Sequence, residues 1–326
     1  MGVMQLVRRT LIALFGLPVV VLFGLLAAAP SAIAQDTLQK IRLSLLPFSE
    51  SLGAVVADKQ GFFKEAGIQV EVRLFDSGAL ALPVLQSGRI DIAFSNTIAT
   101  IQIIERGLDV VVLGPGAAAR NEPPDTTAAI MVRKGSLTSL KDLEGKRVAV
   151  NVINSATWLF VVAALEKEGV DWTKVRFLEL PNPQQNAALL SGQVDAITQP
   201  EPFRTVLMDT GMAEIAYWPQ LKTAPGSDIT QYIALSSWVA NNRDTAIKFA
   251  RAVAHGAAFA NSNEAVTREI NQQFTNLNPD YKDKVQLPYL GSKVNVAGLQ
   301  TVMDLMIKYK LLKGPIDISD RILQIP

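Results

Sequence analysis

Apolar positions along residues 41–113 recur with the spacings of regular secondary structure, every two residues in strands and every three to four in helices. Residues 68–74 (IQVEVRL) alternate between apolar and polar side chains, which predicts a half-buried strand. Residues 51–65 have the amphipathic pattern of a helix that Gly67 ends, because glycine readily adopts the left-handed conformation found after helices. The same reasoning predicts strands at 41–46, 90–94 and 110–113 and helices at 79–86 and 97–106.

A later stretch of the chain repeats this pattern. Residues 85–92 (LQSGRIDI) match residues 189–196 (LLSGQVDA) at an offset of 104, and residues 63–68 (FKEAGI) match residues 165–170 (LEKEGV) at an offset of 102. The second copy predicts strands at 147–151, 175–180 and 194–198 and helices at 155–168 and 184–190. Two matched pairs at nearly the same offset indicate two copies of one βαβαβ unit, with chance similarity of Ser-Gly turns as the alternative.

Strands that alternate with helices of about ten residues predict an α/β protein with right-handed crossovers. Two segments rich in Gly and Pro, 114–127 and 219–228, are predicted to connect two lobes, each a doubly wound, mostly parallel sheet. We predict that lobe 1 comprises residues 35–117 and 229–326 and that lobe 2 comprises residues 118–228. A helical tail at the C-terminus, with apolar faces at 246–259 and 299–312, fits packing around lobe 1.

Residues 1–34 have the order of a secretory signal peptide. Arg8 and Arg9 precede an apolar run, and Ala32-Ile33-Ala34 follows as a small-residue cleavage site. The run is long enough for a transmembrane anchor, which is the alternative, but Pro30 and the small-residue site follow it at once. Sec export and twin-arginine export both remain open. We predict cleavage after Ala34 and a periplasmic protein, whose net charge changes from +1 to −1 because the segment contains two arginines and no acid.

Composition excludes several classes of function. Apolar residues make up 49% of the 326 and charged residues 19%, a balance that supports a sizeable core. With 31 Lys plus Arg against 30 Asp plus Glu, the chain lacks the basic excess of a nucleic-acid-binding protein. The absence of cysteine excludes disulfides, thiol catalysis and cysteine-ligated zinc, and the single histidine excludes a His-based metal cluster. P-loop, G-x-S-x-G and H-E-x-x-H motifs are also absent, so we expect no enzyme, no cofactor and no metal.

Four segments resemble those of periplasmic solute-binding proteins of ABC importers with the two-crossover type II fold. They are residues 57–67 (ADKQGFFKEAG), 85–93 (LQSGRIDIA), 140–150 (LKDLEGKRVAV) and 201–203 (EPF). The resemblance covers nearly the whole mature chain and is strongest to the branch that serves aliphatic sulfonates, taurine, nitrate and thiamine pyrimidine precursors. The segments are together specific for the family and uninformative about the ligand.

The resemblance implies a monomeric receptor that captures a small organic solute by hinge closure. Its partners would be that solute and an ABC permease in the inner membrane coupled to an ATPase. A thiamine-pyrimidine-forming enzyme and a ligand-sensing domain share this fold and are the alternatives. Export argues against the enzyme, and the lack of a helix-turn-helix or signalling module argues against the sensor.

In open α/β sheets, ligands bind at the carboxyl ends of strands near a topological switch point, and this rule predicts six cleft loops. Lobe 1 contributes Pro47, Phe48, Ser49, Asp76, Ser77, Gly78, Ser95, Asn96 and Thr97. Lobe 2 contributes Asn154, Ser155, Ala156, Thr157, Trp158, Asn182, Gln199 and Glu201. Most of these residues lie where a helix begins, and free backbone N–H groups there can hold a polar or anionic group. Helix capping is the alternative role for their Ser, Asn and Thr side chains.

Four of these side chains predict the kind of solute. Phe48 and Trp158 can enclose its aromatic or apolar part, unless they belong to the lobe cores. Asp76 and Glu201 lie at matching strand ends, and no Arg or Lys lies within the six loops, so the two carboxylates favour a solute with N–H donors. Solvated loop charges are the alternative. We expect Asp76→Asn and Glu201→Gln each to weaken binding of such a solute by about 1 to 3 kcal/mol.

Two further features of the sequence favour structural roles. Asp91 and Asp195 follow Ser-Gly in both copies of the repeat, and we predict that they organise the turn before a strand. His255 lies within a helix among alanines, which predicts packing or a surface position.

Overall fold

The computed structural model describes residues 38–75 and 78–326. Its strands, in chain order, are β1 (Gln39–Leu45), β2 (Ile68–Leu74), β3 (Ala93–Asn96), β4 (Val110–Pro115), β5 (Ala117–Ala118), β6 (Ala129–Arg133), β7 (Arg147–Val150), β8 (Arg176–Glu179), β9 (Ala196–Gln199), β10 (Ala213–Tyr217), β11 (Thr230–Leu235) and β12 (Tyr289–Leu290). Its α-helices are α1 (Leu52–Lys59), α2 (Phe62–Glu65), α3 (Gly78–Gln86), α4 (Thr97–Glu105), α5 (Ala156–Lys167), α6 (Asn182–Leu190), α7 (Phe203–Asp209), α8 (Pro219–Thr223), α9 (Ser236–Asn241), α10 (Arg243–Ser262), α11 (Glu264–Thr275) and α12 (Val296–Lys308). The predicted α/β class is confirmed.

The N-terminal sheet is formed by a two-stranded part, β2-β1, and a three-stranded part, β3-β11-β4, which an isolated bridge joins in the order β2-β1-β3-β11-β4. β1 and β2 are parallel, and a bridge between Leu43 and Ile92 joins β1 to the chain that enters β3. β11 lies between β3 and β4 and is antiparallel to both. Four strands therefore run in one direction, and the strand that arrives from the later part of the chain runs in the other.

The second sheet has the order β8-β7-β9-β6-β10, which corresponds to the first strand for strand. β7 is parallel to β8 and β9, while β6 is antiparallel to β9 and β10. In each sheet the antiparallel strand, β11 or β6, follows one of the two Gly/Pro-rich connections. This equivalence supports the internal repeat that the sequence indicates.

Matching ion pairs fix the same corner in both copies. Asp91 accepts hydrogen bonds from the backbone N–H and the Nε of Arg42 at 2.8 and 2.9 Å. Asp195 accepts the equivalent bonds from Arg147 at 2.9 and 3.0 Å, and each arginine also donates to the other oxygen of its partner. The carboxylates thus join the start of one strand to the turn that precedes another, as predicted for Asp91 and Asp195.

The structure corrects two local predictions. The predicted helix at 51–65 is divided into α1 and α2, because Gly61 between them has a φ of +83°, a left-handed conformation that interrupts helical hydrogen bonding. The first Gly/Pro-rich connection contains β5, which pairs with β12, and the second contains the short helix α8. The exact boundaries of the two lobes remain a prediction.

Hydrophobic side chains fill both faces of each sheet. Beside the N-terminal sheet, Leu43 of β1 shares one core with Phe249 of α10, and Val112 of β4 shares another with Met303 of α12. In the second sheet, neighbouring residues of β7 point into different cores. The C-terminal helices therefore pack on the N-terminal sheet, as the sequence predicts for the tail.

Within residues 38–75 and 78–326, no helix is both long and apolar enough to cross a membrane. The predicted signal peptide and its cleavage site lie outside the described residues.

Candidate functional site

A cavity of about 210 Å³ lies between the two sheets, at the carboxyl ends of β1, β7, β8 and β9. One side of it is formed by Phe48 and Glu50, which follow β1, and by Ile229, which precedes β11. The second sheet and its connections form the rest, namely Thr127, Ala128, Asn151, Ala156, Thr157, Phe160, Asn182, Pro200, Glu201, Phe203, Pro219 and Gln220. The cavity is therefore where the sheet rule expects a ligand.

The structure brings together only part of the predicted site. Five predicted residues line the cavity: Phe48, Ala156, Thr157, Asn182 and Glu201. Nine others are described but are not among its lining residues: Pro47, Ser49, Ser95, Asn96, Thr97, Asn154, Ser155, Trp158 and Gln199. Gly78 begins α3. Asp76 and Ser77 lie outside the described residues.

Several of the residues away from the cavity have structural roles. The side chain of Asn96 caps α4 by accepting a hydrogen bond from the backbone N–H of Ala99 at 2.8 Å. Ser155 caps α5 in the same way, and Thr97 donates from its hydroxyl to the backbone carbonyl of Asp228 at 2.7 Å. Gln199 donates to the carbonyl of Asn182 and to the side chain of Asn186. Asn96 and Ser155 therefore cap helices, which was the alternative to contact with a solute.

Trp158 belongs to a hydrophobic core. Its side chain is buried and packs edge-on against Trp172 and Phe177, with ring centroids 5.8 and 6.2 Å away. Helical periodicity explains this placement, because Ala156 and Thr157 at the start of α5 face the cavity while the next residue points to another side. Phe160, one turn further along the helix than Ala156 and Thr157, lines the cavity instead.

Glu201 is paired within the protein. Arg204 Nη2 donates to Glu201 Oε1 at 2.7 Å, and the side chains of both residues are at least nine-tenths buried. The backbone N–H and the hydroxyl of Thr205 also donate to this carboxylate, at 3.1 and 2.9 Å. The absence of Arg and Lys from the six loops therefore does not leave Glu201 to a solute, because Arg204 in α7, just beyond the predicted loop, pairs with it.

Arg204 is itself held from several directions. Its Nη1 donates to the carbonyl of Thr127 at 2.7 Å, and its Nη2 also donates to the side chain of Gln286 at 2.9 Å. The guanidinium lies 4.6 Å from the ring centroid of Trp218. Burial lowers the pKa of Arg204, and the charge of Glu201 opposes that change. The pair and its neighbours form a rigid wall behind the cavity.

Glu50 is one of the ten lining residues that the strand-end prediction missed, and the acidic one among them. The residue retains some exposed surface; burial raises the pKa of its carboxyl, and a hydrogen bond from its own backbone N–H opposes that change. The charge of Glu201 raises that pKa further. Glu50 lies two residues beyond Phe48, in a single helical turn (Ser49–Ser51) after β1, so a longer loop at that strand end would have included it.

The remaining lining groups are suited to binding a small solute. Asn151, Asn182 and Gln220 offer amides, and the first turn of α5 offers backbone N–H groups that a helix leaves free. Phe48, Phe160 and Phe203 supply apolar surface. Across residues 38–75 and 78–326, no three His, Asp or Glu side chains are grouped so that they can hold a metal ion.

Comparison with known proteins agrees with the resemblance found in the sequence. Residues 49–265 match the family model described as NMT1/THI5 like. A putative thiamine biosynthesis protein of Haemophilus influenzae is 27% identical over 279 residues, which cover 83% of this chain and 85% of that protein. The taurine-binding periplasmic protein of Escherichia coli is 32% identical over 136 residues, which cover 41% of this chain and 40% of that protein.

Solved structures share the fold at low sequence identity. The periplasmic aliphatic sulphonate binding protein SsuA from Escherichia coli has a TM-score of 0.73 and 20% identity, covering 88% of this chain and 98% of that one. The periplasmic nitrate-binding protein NrtA from Synechocystis PCC 6803 has a TM-score of 0.66 and 15% identity, covering 86% of this chain and 84% of that one. The predicted periplasmic binding protein fold is therefore confirmed.

Proposed function

The chain belongs to the NMT1/THI5-like family, and on that premise we propose that it is an exported solute-binding receptor of an ABC importer. In this proposal a small organic solute is captured between the two lobes and delivered to a permease. The observation that supports it most is the cavity itself, which lies at strand ends of two equivalent sheets and is lined from both.

Hinge closure follows from how the sheets are connected. Only the connections around β5 and α8 lead from one sheet to the other, and each continues into the antiparallel strand of the sheet that it enters. A solute that touches both sides favours the closed arrangement through the additional contacts it makes there. The closed form then docks as a monomer on an inner-membrane permease coupled to an ATPase, and no chemical change in the solute is needed.

The site residues we propose for the solute are those of the sequence prediction that line the cavity, together with Glu50 and Phe160. The proposal includes periplasmic export, with cleavage after Ala34 as the sequence predicts. Mass spectrometry of the exported protein should then find Gln35 at the N-terminus, whereas a full-length chain held in the membrane would contradict export as a soluble receptor.

A screen of small solutes against thermal unfolding tests this function. A true solute at about 100 times its dissociation constant should stabilise the protein by about 2.7 kcal/mol. Proton NMR of the same mixture should show the solute unchanged after prolonged incubation. Conversion of the solute would instead favour an enzyme of thiamine pyrimidine formation, the second candidate, which the name of the Haemophilus relative favours.

A further inference from the structure

The two acidic residues that line the cavity differ in whether the protein provides them with a cation. Of the lining residues within 38–75 and 78–326, only Glu50 and Glu201 are titratable, and they approach the cavity from opposite sheets. Glu201 has Arg204 as a cation and Thr205 as a further donor. Glu201 therefore needs no group from a solute.

Glu50 has no such partner. Among the described residues it forms no ion pair, and no other side chain donates a hydrogen bond to its carboxyl. Burial and the charge of Glu201 disfavour its ionised form, and a hydrogen bond from its own backbone N–H favours it. A desolvated carboxyl of this kind either keeps its proton or requires a cation beside it. Neither α5 nor the segments at Asn151, Asn182 and Gln220 place a charged group on the cavity wall.

The surroundings of Glu50 are suited to an organic cation. Phe48 and Phe160 line the same cavity, and aromatic faces attract an ammonium group as well as apolar carbon. A volume of about 210 Å³ limits the occupant to a small molecule.

We propose that Glu50 recognises the protonated amine of a small aryl or alkyl solute and releases a proton when that solute binds. This inference rests on the proposed function and specifies the class of solute. Before binding, the raised pKa favours the protonated form of the Glu50 carboxyl. On binding, that proton passes to the buffer, and the carboxylate pairs with the ammonium group, which keeps its own charge.

The direction of the pH dependence follows from this exchange. Affinity for the amine should rise as the pH rises through the elevated pKa of free Glu50, because deprotonation of Glu50 then requires less free energy. Among the described residues, Glu201 is the charged group that acts on Glu50, and it is paired with Arg204. Asp228 also has a raised pKa, but it lines a separate groove with Arg120 and Asn295 and serves as the control site.

Calorimetry with three probes of similar shape tests the proposal: benzylamine as the cation, benzyl alcohol as the neutral molecule and benzenesulfonate as the anion. The wild type should bind benzylamine at least about tenfold more tightly than the other two. Titrations in buffers of different ionisation enthalpy should detect proton release at acidic pH that diminishes as the pH rises through the elevated pKa of Glu50. Glu50→Gln should remove both the preference for the amine and the proton release, while Asp228→Asn should retain both.

Three results would overturn the inference: no binding of benzylamine, tighter binding of benzenesulfonate, or an unchanged amine preference in Glu50→Gln. Circular dichroism of Glu50→Gln establishes that the variant is folded. The proposed function is judged separately, since a solute from the wider screen that stabilises the protein and is not converted would support a receptor even if every benzylamine result is negative.

Discussion

Arg204 holds the carboxylate of Glu201, which lines the cavity on the side of the second sheet. Its side chain is almost fully buried against Glu201, the carbonyl of Thr127 and the ring of Trp218. Removing one member of a buried ion pair leaves the other charge without a partner, which is more costly than removing both.

We therefore expect Arg204→Met to lower the free energy of unfolding by about 3 to 5 kcal/mol in urea denaturation. The double variant Arg204→Met with Glu201→Gln should recover part of that loss, because no unpaired charge then remains. Lys248→Met is the matched control, since it removes a solvent-exposed pair with Asp244 and should cost no more than about 1 kcal/mol. Equal losses for Arg204→Met and Lys248→Met would contradict this account of the wall.

Asp228 gives a second prediction at the scale of one residue. Burial raises its pKa to about 7, although the backbone N–H of Asn295 donates a hydrogen bond to it. The unfolded chain releases this proton near pH 4, so between about pH 4 and 7 the folded protein holds a proton that the unfolded chain has lost. The stability contributed by Asp228 is therefore present at low pH and is lost as the pH rises through 7.

Replacing Asp228 with asparagine removes that titration. The difference in unfolding free energy between Asp228→Asn and the wild type should shift in favour of the variant by about 2 kcal/mol from pH 5 to 7. Urea denaturation of both proteins at the two pH values measures this shift. A difference that does not change with pH would show that Asp228 is ionised throughout.

At the scale of elements, α1 and α10 approach each other closely at two glycines. A Cβ added to Gly256 of α10 would lie 2.2 Å from the carbonyl oxygen of Gly53 in α1, a backbone atom that cannot move aside alone. A Cβ added to Gly53 would meet only side chains at ordinary contact distances of 3.6 Å or more.

Gly256→Ala should accordingly lower the free energy of unfolding by about 1 to 3 kcal/mol, because the helices must separate. Gly53→Ala should be neutral or stabilising, since alanine favours the helix more than glycine does. Thermal unfolding of the two variants compares the same chemical change on opposite sides of one contact. Equal effects would mean that the helices are not held as closely as described.

Patterns within a short stretch of sequence predicted best those elements whose hydrogen bonds and turns involve residues close together in the chain. The alternation of residues 68–74 predicted the bounds of β2, although Val72 and Leu74 of its apolar face are exposed. The left-handed φ of Gly67 agrees with its predicted place after a helix. The antiparallel strands β6 and β11 were not predictable in this way, since each lies outside the repeated segments and pairs with distant strands. At the site, the positions of strand ends predicted that Phe48 and Asn182 line the cavity. They could not predict that Glu201 pairs with Arg204, nor that Trp158 belongs to a core.

At the scale of the whole molecule, two sheets of the same strand order are joined by two connections and have a small cavity between their strand ends. This arrangement allows a rigid-body change in which each sheet keeps its own core and the connections absorb the change in backbone angles. Closure around a solute is the central claim, because both the receptor function and the role of Glu50 depend on contacts from two sides.

Small-angle X-ray scattering of the purified exported protein tests closure most directly. The radius of gyration should fall when the protein is saturated with the solute that stabilises it most in the thermal screen, and it should not change with a solute that gives no stabilisation. A radius of gyration that stays the same at saturation with the stabilising solute would contradict capture by closure of the two lobes.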